Sequence, residues 1–317
     1  MYTSKRTLKR LLYSLLCLTA DTLDAIFSLF CSAKKPDVGL KPSSLDSLSD
    51  DQIKDLMANA PNLSEFEPIY QLSSDTIARL AYNWTGEDIA NCSEANTHRI
   101  VSEKTSIPVP HVRRIIRWDR DDLIIMDSIQ GSTLAEVWPK YSLWMKIRVA
   151  FTLRRYVRQL HRIEVPPGAP PGPLTNHAPK LCDVPSIFGD IRAPRGPFGS
   201  YEELTDFFNH RYQLGWKGKD QEATFDDSSP LVITHNNLFP ENIIVGEDDR
   251  LWVVNWASSG YYPPWFEFAG LMNVVENERF CRRWYDRSWE LAVPFICGPY
   301  FKQHIWLARA GWGLYHT

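Results

Sequence analysis

The chain of 317 residues can bury one large two-lobed domain or two ordinary ones. With 44% hydrophobic and 23% charged residues it has a globular composition, and a net charge of −3 with a pI near 6.3 gives no bulk attraction for nucleic acid, which is excluded as a partner. Twelve Trp and thirteen Tyr fit either an aromatic-lined cleft or an aromatic core.

Lys5, Arg6, Lys9 and Arg10 lead into an apolar stretch in which the uncharged run from Leu11 to Ala20 is far too short for the roughly 20 residues of a spanning helix. Leu8, Leu12, Leu15, Leu23, Ile26 and Phe30 fall near one helical stripe. Residues 1–33 therefore read as an amphipathic helix, docked on the domain or lying on a membrane surface through residues 8–30. A cleaved signal, with small residues at Thr19 and Ala20, is the alternative. Residues 34–51 are Pro-, Ser- and Asp-rich and read as a linker. A cap at Ser49 followed by Gln52 predicts a short helix over Ile53–Asn59.

Residues 69–81 predict two strands around a turn at 73–75. No glycine occurs between Gly39 and Gly86, so a glycine-built phosphate cradle is missing there. A helix is predicted over Ser93–Lys104, extended chain over 105–111 because of Pro108 and Pro110, and a buried strand over 123–131 ending in a Gly131 turn. The next helix spans Trp144–Arg162, with Leu143, Ile147, Ala150, Leu153, Val157 and Leu160 as its buried stripe. Arg148, Arg155 and Arg162 lie on a solvated face. A Pro/Gly connection at 165–173, a helix over 201–212 and a polar loop over 215–230 follow. Six scattered cysteines show neither C-x-x-C nor zinc spacing and read as reduced thiols of a cytoplasmic protein.

Residues 231–267 carry the strongest pattern. Three β-rich runs, 231–233, 243–245 and 251–254, flank a polar loop with His235, Asn236, Asn237 and Asn242, and a hairpin turn over 246–249. Asn255 follows the third run. Polar groups on loops braced by apolar strands are placed for binding or catalysis. Further helices are predicted over 268–289 and 300–311. No G-x-S-x-G elbow supports a hydrolase.

The stretch resembles the catalytic core of the aminoglycoside phosphotransferase and choline kinase-like family, which has His-x-Asp-x4-Asn, a strand ending in Asp-Trp, a Gly-x-Tyr-Pro turn and a following Glu. His235, Asn242, Trp256, Gly260, Pro263 and Glu267 match. The Pro108–Pro110 segment resembles fungal members. The resemblance covers roughly residues 65–300. It implies an α+β, two-lobed protein-kinase-like fold, with a small β-rich N-lobe and hinge over 52–130 and a mainly helical C-lobe over 131–317. It implies ATP as cofactor, Arg79 at the phosphate-binding Lys position, and Glu94 as its helix partner. Met126, Asp127 and Ile129 would lie at the adenine-facing hinge. His235 and Asn237 take the catalytic positions, and Asn242 and Asn255 the Mg²⁺-binding positions.

Phosphoryl transfer needs held phosphates, held Mg²⁺ and an acceptor hydroxyl relieved of its proton. Asn237 stands at the base position and is not basic; loss of a positioned base costs about 10²–10⁴ in rate. Asn255 stands at the metal position and offers a neutral oxygen where Mg²⁺ prefers anionic ones, so metal binding is expected to be weakened. Three classes stay open: an active kinase of a small hydroxylated metabolite, a pseudokinase that binds nucleotide or a small molecule, and a scaffold with a relic cleft.

Overall fold

An apolar run without alternation, such as 123–126, belongs in a strand covered on both faces. The computed structural model describes residues 2–30, 42–64, 67–83, 91–175, 178–189, 195–217, 223–281 and 285–315. Helix α1 (Tyr2–Phe30) precedes α2 (Asp50–Ala58), β1 (Ile69–Gln71), β2 (Thr76–Ala81), α3 (Ser93–Lys104), β3 (Val112–Trp118) and β4 (Asp121–Asp127). The strands form one antiparallel sheet in the order β1-β2-β4-β3. Leu123 and Ile125 pack with Ile53 and Met57 of α2. Ile124 and Met126, one residue out of phase, pack with Cys92 and Ala95 at the start of α3.

The described part of 34–51, expected as linker, belongs instead to this lobe; residues 34–41 lie outside the described residues. Ser43 caps a short turn at Ser44–Ser47 that buries Leu45. Arg113 pairs with Asp46 at 2.9 Å and Arg114 with Asp50 at 3.0 Å. Each acid finds its base more than sixty residues along the chain, which a local reading of composition cannot see. The Ser49–Gln52 capping box is present, and α2 starts at Asp50.

The chain leaves the sheet at Asp127 and enters β5 (Gly131–Thr133), which pairs antiparallel with Ile244, Val245 and Gly246 of the second lobe. A Cβ at Gly131 would lie 2.2 Å from the Val245 carbonyl oxygen, so only glycine fits this entry point. The second lobe continues with α4 (Leu134–Val137), α5 (Leu143–His161), α6 (Pro185–Phe188), α7 (Tyr201–Gly215), β6 (Val232–Thr234), β7 (Ile243–Gly246), β8 (Leu251–Val253) and β9 (Gly260–Tyr262). Helices α8 (Trp265–Cys281), α9 (Arg287–Cys297) and α10 (Phe301–Tyr315) complete it. β5, β7 and β8 form one small sheet and β6 pairs with β9. This is the expected two-lobed α+β fold.

Several expectations need correction. The helix predicted over 268–289 is two helices, because the Asp286 side chain accepts from the Ser288 and Trp289 amides and starts α9 there. The aromatic residues build a core rather than line a cleft: Phe188, Phe208, Phe225, Tyr262, Phe266 and Trp306 share one cluster under α7 and α10. On α5, Val149, Ala150, Leu153, Val157 and Leu160 are buried, but Leu143 and Ile147 are exposed.

Helix α1 docks on the second lobe. Cys17 and Ala20 are buried, and the Tyr13 hydroxyl donates to the Leu291 carbonyl at 2.8 Å. Asp21 receives Arg154 and Arg158 of α5. Arg154 is 3% exposed and donates also to the carbonyl oxygens of Cys17 and Phe295. No helix among the described residues is long and apolar enough to cross a membrane.

Removing one partner of a buried ion pair leaves the other desolvated and uncompensated. Because Asp21 keeps 30% of its side-chain surface, Asp21→Ala is expected to cost about 2 kcal/mol, below the range for fully buried pairs. Urea denaturation measures it, with Thr22→Ala, on the exposed side of α1, as a control within about 0.5 kcal/mol of the natural chain. Equal stability of the two variants would show that α1 contributes nothing through this pair.

Candidate active site

The site is assembled by two turns, 235–242 between β6 and β7 and 254–259 between β8 and β9. Glu267, in the first turn of α8, has no exposed surface. Its Oε2 accepts from the His235 amide at 2.6 Å and from the Asn236 amide at 3.2 Å. Backbone amides converging on one carboxylate force a sharp turn, and Asn236 takes a left-handed φ of 60°, a conformation asparagine tolerates better than most residues. Its Nδ2 donates to the Ser258 carbonyl at 3.1 Å and joins the two turns.

His235 is fully buried and braces the second turn from below. The Asn237 amide donates to Nδ1 at 3.2 Å, so Nε2 carries the proton and donates to the Val254 carbonyl at 3.1 Å. Burial lowers its pKa to about 3, so the ring is neutral. Its ring meets the edge of buried Trp256, with centroids 4.4 Å apart. His235 therefore positions; it does not itself face a ligand.

Asn255 has a left-handed φ of 65°. Its Nδ2 donates to Asn242 Oδ1 at 3.2 Å and to Glu67 Oε1 at 3.2 Å. A carboxylate acts only as an acceptor here, so the group facing Glu67 is the amide N–H₂. The Asn242 Nδ2 in turn donates to the Asn237 carbonyl at 2.9 Å. Glu67, just ahead of β1, thus connects the first lobe to the second.

Between the lobes lies a cavity of about 390 Å³ that Arg79, Glu94, Asn237 and Asn255 line together. Arg79 of β2 is 6% exposed. Its Nε donates to Glu94 at 3.0 Å and its Nη2 to Glu67 at 2.9 Å. Despite the opposing cost of burial, the two carboxylates hold its pKa above the ordinary value. Met126, Asp127 and Ile129 do not line this cavity. Met126 is buried beneath α3, and the Asp127 carboxylate is taken by Arg113 at 2.7 Å. Sequence reasoning missed Glu67, Lys180 and Asp183, which also line the cavity. Burial, followed by the neighbouring Glu67 charge, raises the Asp183 pKa. These residues sit in irregular chain, where no periodicity or motif marks them.

A family-type Mg²⁺ needs anionic oxygens in near-octahedral array. Here Asn242 Oδ1 is occupied by the Asn255 amide, and that amide presents hydrogens, not oxygen, to Glu67. Among the described residues no group of three or more His, Cys, Asp or Glu could hold a metal. The residues as arranged do not fit the ion.

Burial raises the Glu267 pKa to about 7, from an ordinary 4.5, against the opposing backbone hydrogen bonds. A raised folded-state value adds stability that is complete below the unfolded value and is lost as pH rises through the folded one. The neutral buried rings of His98, His235 and His304, lowered to about 4, 3 and 4, act oppositely: their stability is complete above pH 6.5 and is lost on acidification. Glu267→Gln removes only the first contribution. Its unfolding free energy is expected to fall more steeply from pH 7 to pH 4.5 than that of the natural chain, by up to a few kcal/mol. Parallel stability–pH curves from urea melts would contradict a protonating Glu267.

The model of the phosphotransferase enzyme family (APH) matches residues 94–292. No curated protein matches the chain. Among solved structures, the streptomycin–ATP ternary complex of APH(2")-IIa is similar at 13% identity, over 87% of this chain and 92% of that chain, with a TM-score of 0.49. Aminoglycoside-3'-phosphotransferase of type VIII is similar at 13% identity, over 84% and 98%, with a TM-score of 0.48. The matched region takes in α3, both turns of the site and the start of α9, more than half of the sequence, and the chain belongs to the phosphotransferase enzyme family.

Proposed function

We propose that this family member binds a nucleotide or a small hydroxylated molecule between its lobes and has lost phosphoryl transfer. The observation that carries this reading is the amide of Asn255, which bridges Asn242 and Glu67 by donating hydrogens where a metal site would need anionic oxygen. Asn237 adds no base, since an amide does not take up a proton near neutral pH. His235 cannot replace it, because both ring nitrogens are engaged in the fold.

Arg79 is the group most suited to a phosphate, paired with Glu94 as the family resemblance implies. It also donates to Glu67, so a triphosphate must compete with that carboxylate. Binding of ATP is therefore weak and does not depend on Mg²⁺.

The test follows the charge. Asn255→Asp would face Glu67 with a second carboxylate; like charges at about 4 Å and an effective dielectric of about 20 repel by about 4 kcal/mol before relaxation. The variant is expected to melt below the natural chain without divalent cation and to recover with Mn²⁺ or Mg²⁺. Adding Glu67→Gln should remove both effects. The natural chain should show a small thermal shift with ATP that Mg²⁺ leaves unchanged. Asn237→Asp on the Asn255→Asp background should raise ATP turnover on the order of 10²-fold over Asn255→Asp alone. Phosphate transfer by the natural chain, abolished in Asn242→Ala, would establish an active kinase. Absence of any ATP shift across all variants would leave the relic scaffold.

A further inference from the structure

Helix α1 turns its apolar face outward. Tyr13, Cys17, Ala20 and Asp21 form the face that docks. On the opposite face Leu8, Leu11, Leu12, Leu15 and Leu18 are between 57% and 66% exposed. Their spacing of three and four residues makes one continuous stripe. A docked helix would ordinarily bury these leucines and expose its polar residues.

A second exposed stripe lies on α5, on the face whose other end receives α1. On α5, Leu143, Trp144, Ile147, Phe151, Arg154 and Arg158 share one face by helical spacing. Asp21 of α1 covers the Arg154 and Arg158 end. The other end is uncovered: Leu143 is 73% and Trp144 71% exposed, and Ile147 and Phe151 are also exposed. Leu291 of α9, whose carbonyl receives Tyr13, adds another exposed apolar side chain. Apolar exposure gathered on one side marks an interaction surface, unlike scattered single residues.

Charge selects the partner. No Asp or Glu occurs between Tyr2 and Ala20 or between Val137 and Ile163. Lys9 is exposed between the docked face and the outer stripe of α1, its ammonium over the Tyr13 and Phe301 rings; Lys5 and Arg6 precede it in sequence, and Lys140 and Arg148 are exposed beside the α5 stripe. In a chain of net charge −3, the two stretches that carry the exposed apolar stripes thus contain basic residues and no acidic ones. A second copy of the chain would bring these basic rims against each other. An anionic bilayer surface meets both requirements, apolar depth and negative headgroups. The geometry points to a peripheral membrane-binding face, made by the outer side of α1 and the exposed end of α5, that seats the protein on anionic lipid with the second lobe toward the bilayer. This inference is independent of whether the cleft binds nucleotide.

Flotation of the full chain on vesicles of phosphatidylcholine, with and without phosphatidylserine, tests it. The chain is expected to float with the anionic vesicles, about tenfold less with neutral ones, and less at high salt. Leu8→Gln/Leu12→Gln/Leu15→Gln should lower binding by about tenfold or more, while unchanged circular dichroism and urea melting show that the docked face is intact. Trp144→Ala, on a different helix, should lower it severalfold. Absence of flotation by the natural chain, or unchanged flotation of both variants, would overturn the inference. A concentration-dependent dimer without flotation, lost in the leucine variant, would overturn it in favour of self-association.

Discussion

A carboxylate with no solvent contact survives in a protein only if polar groups close around it. Glu267 meets that demand at Oε2, with the amides of His235 and Asn236, while its buried Oε1 has no partner among the described residues, and much of the site's shape follows from the Oε2 bonds. The bonds fold the chain back so sharply that Asn236 must adopt a left-handed backbone. The fold-back carries the His235 ring beneath the 254–259 turn, where its Nε2–H reaches Val254. Asn236 then reaches Ser258. Since α8 begins among Phe266, Tyr262 and Trp265, all buried, the carboxylate is held by the core as well as by the turns.

Shape and charge are separable in this cleft. The bonds that fix its two turns run through a neutral histidine, asparagine amides and backbone carbonyls, with Glu267 as the buried anchor. No divalent cation is required to hold any of them. A site built this way can keep its geometry whatever charge stands at positions 237 and 255. Similarity of outline to a phosphotransferase therefore says little about turnover, which depends on those charges.

Local pattern carried the parts of the fold that local pattern determines. The stretch 231–267 is legible as strand, loop, strand, turn and strand because β-branched runs and the 246–249 turn are encoded within a few residues; Asp249 takes the left-handed φ of 59° such a turn uses. The pairing of Arg79 with Glu94 was accessible only through the order of family motifs, since fifteen residues of sequence separate them. Glu67 had no such marker. Its partner Asn255 is 188 positions away, and an acid before a strand has an ordinary surface explanation. The same limit hid the docking of 42–51 through Asp46 and Asp50. Helical spacing also overstated the burial of Leu143 and Ile147, because periodicity identifies an apolar face but not what covers it.

One connected set of polar contacts spans both lobes. Glu94 of α3 holds Arg79 of β2, Arg79 holds Glu67, Glu67 accepts from Asn255, and Asn255 donates to Asn242. Arg79 and Glu67 are alternative partners for any incoming anion and cation respectively. Glu67 holds its two partners through separate oxygens, Oε2 for Arg79 and Oε1 for the Asn255 amide, so a phosphate that takes Arg79 competes for the first bond and leaves the second in place. An anion at Arg79 therefore bears on a bond inside the first lobe, and the bond between the lobes is the separate one from Asn255 to Glu67. With the Asn255 amide as the bridge, hydrogen bonds alone join Glu67 of the first lobe to Asn242 of the second, and no cation is needed to close that contact.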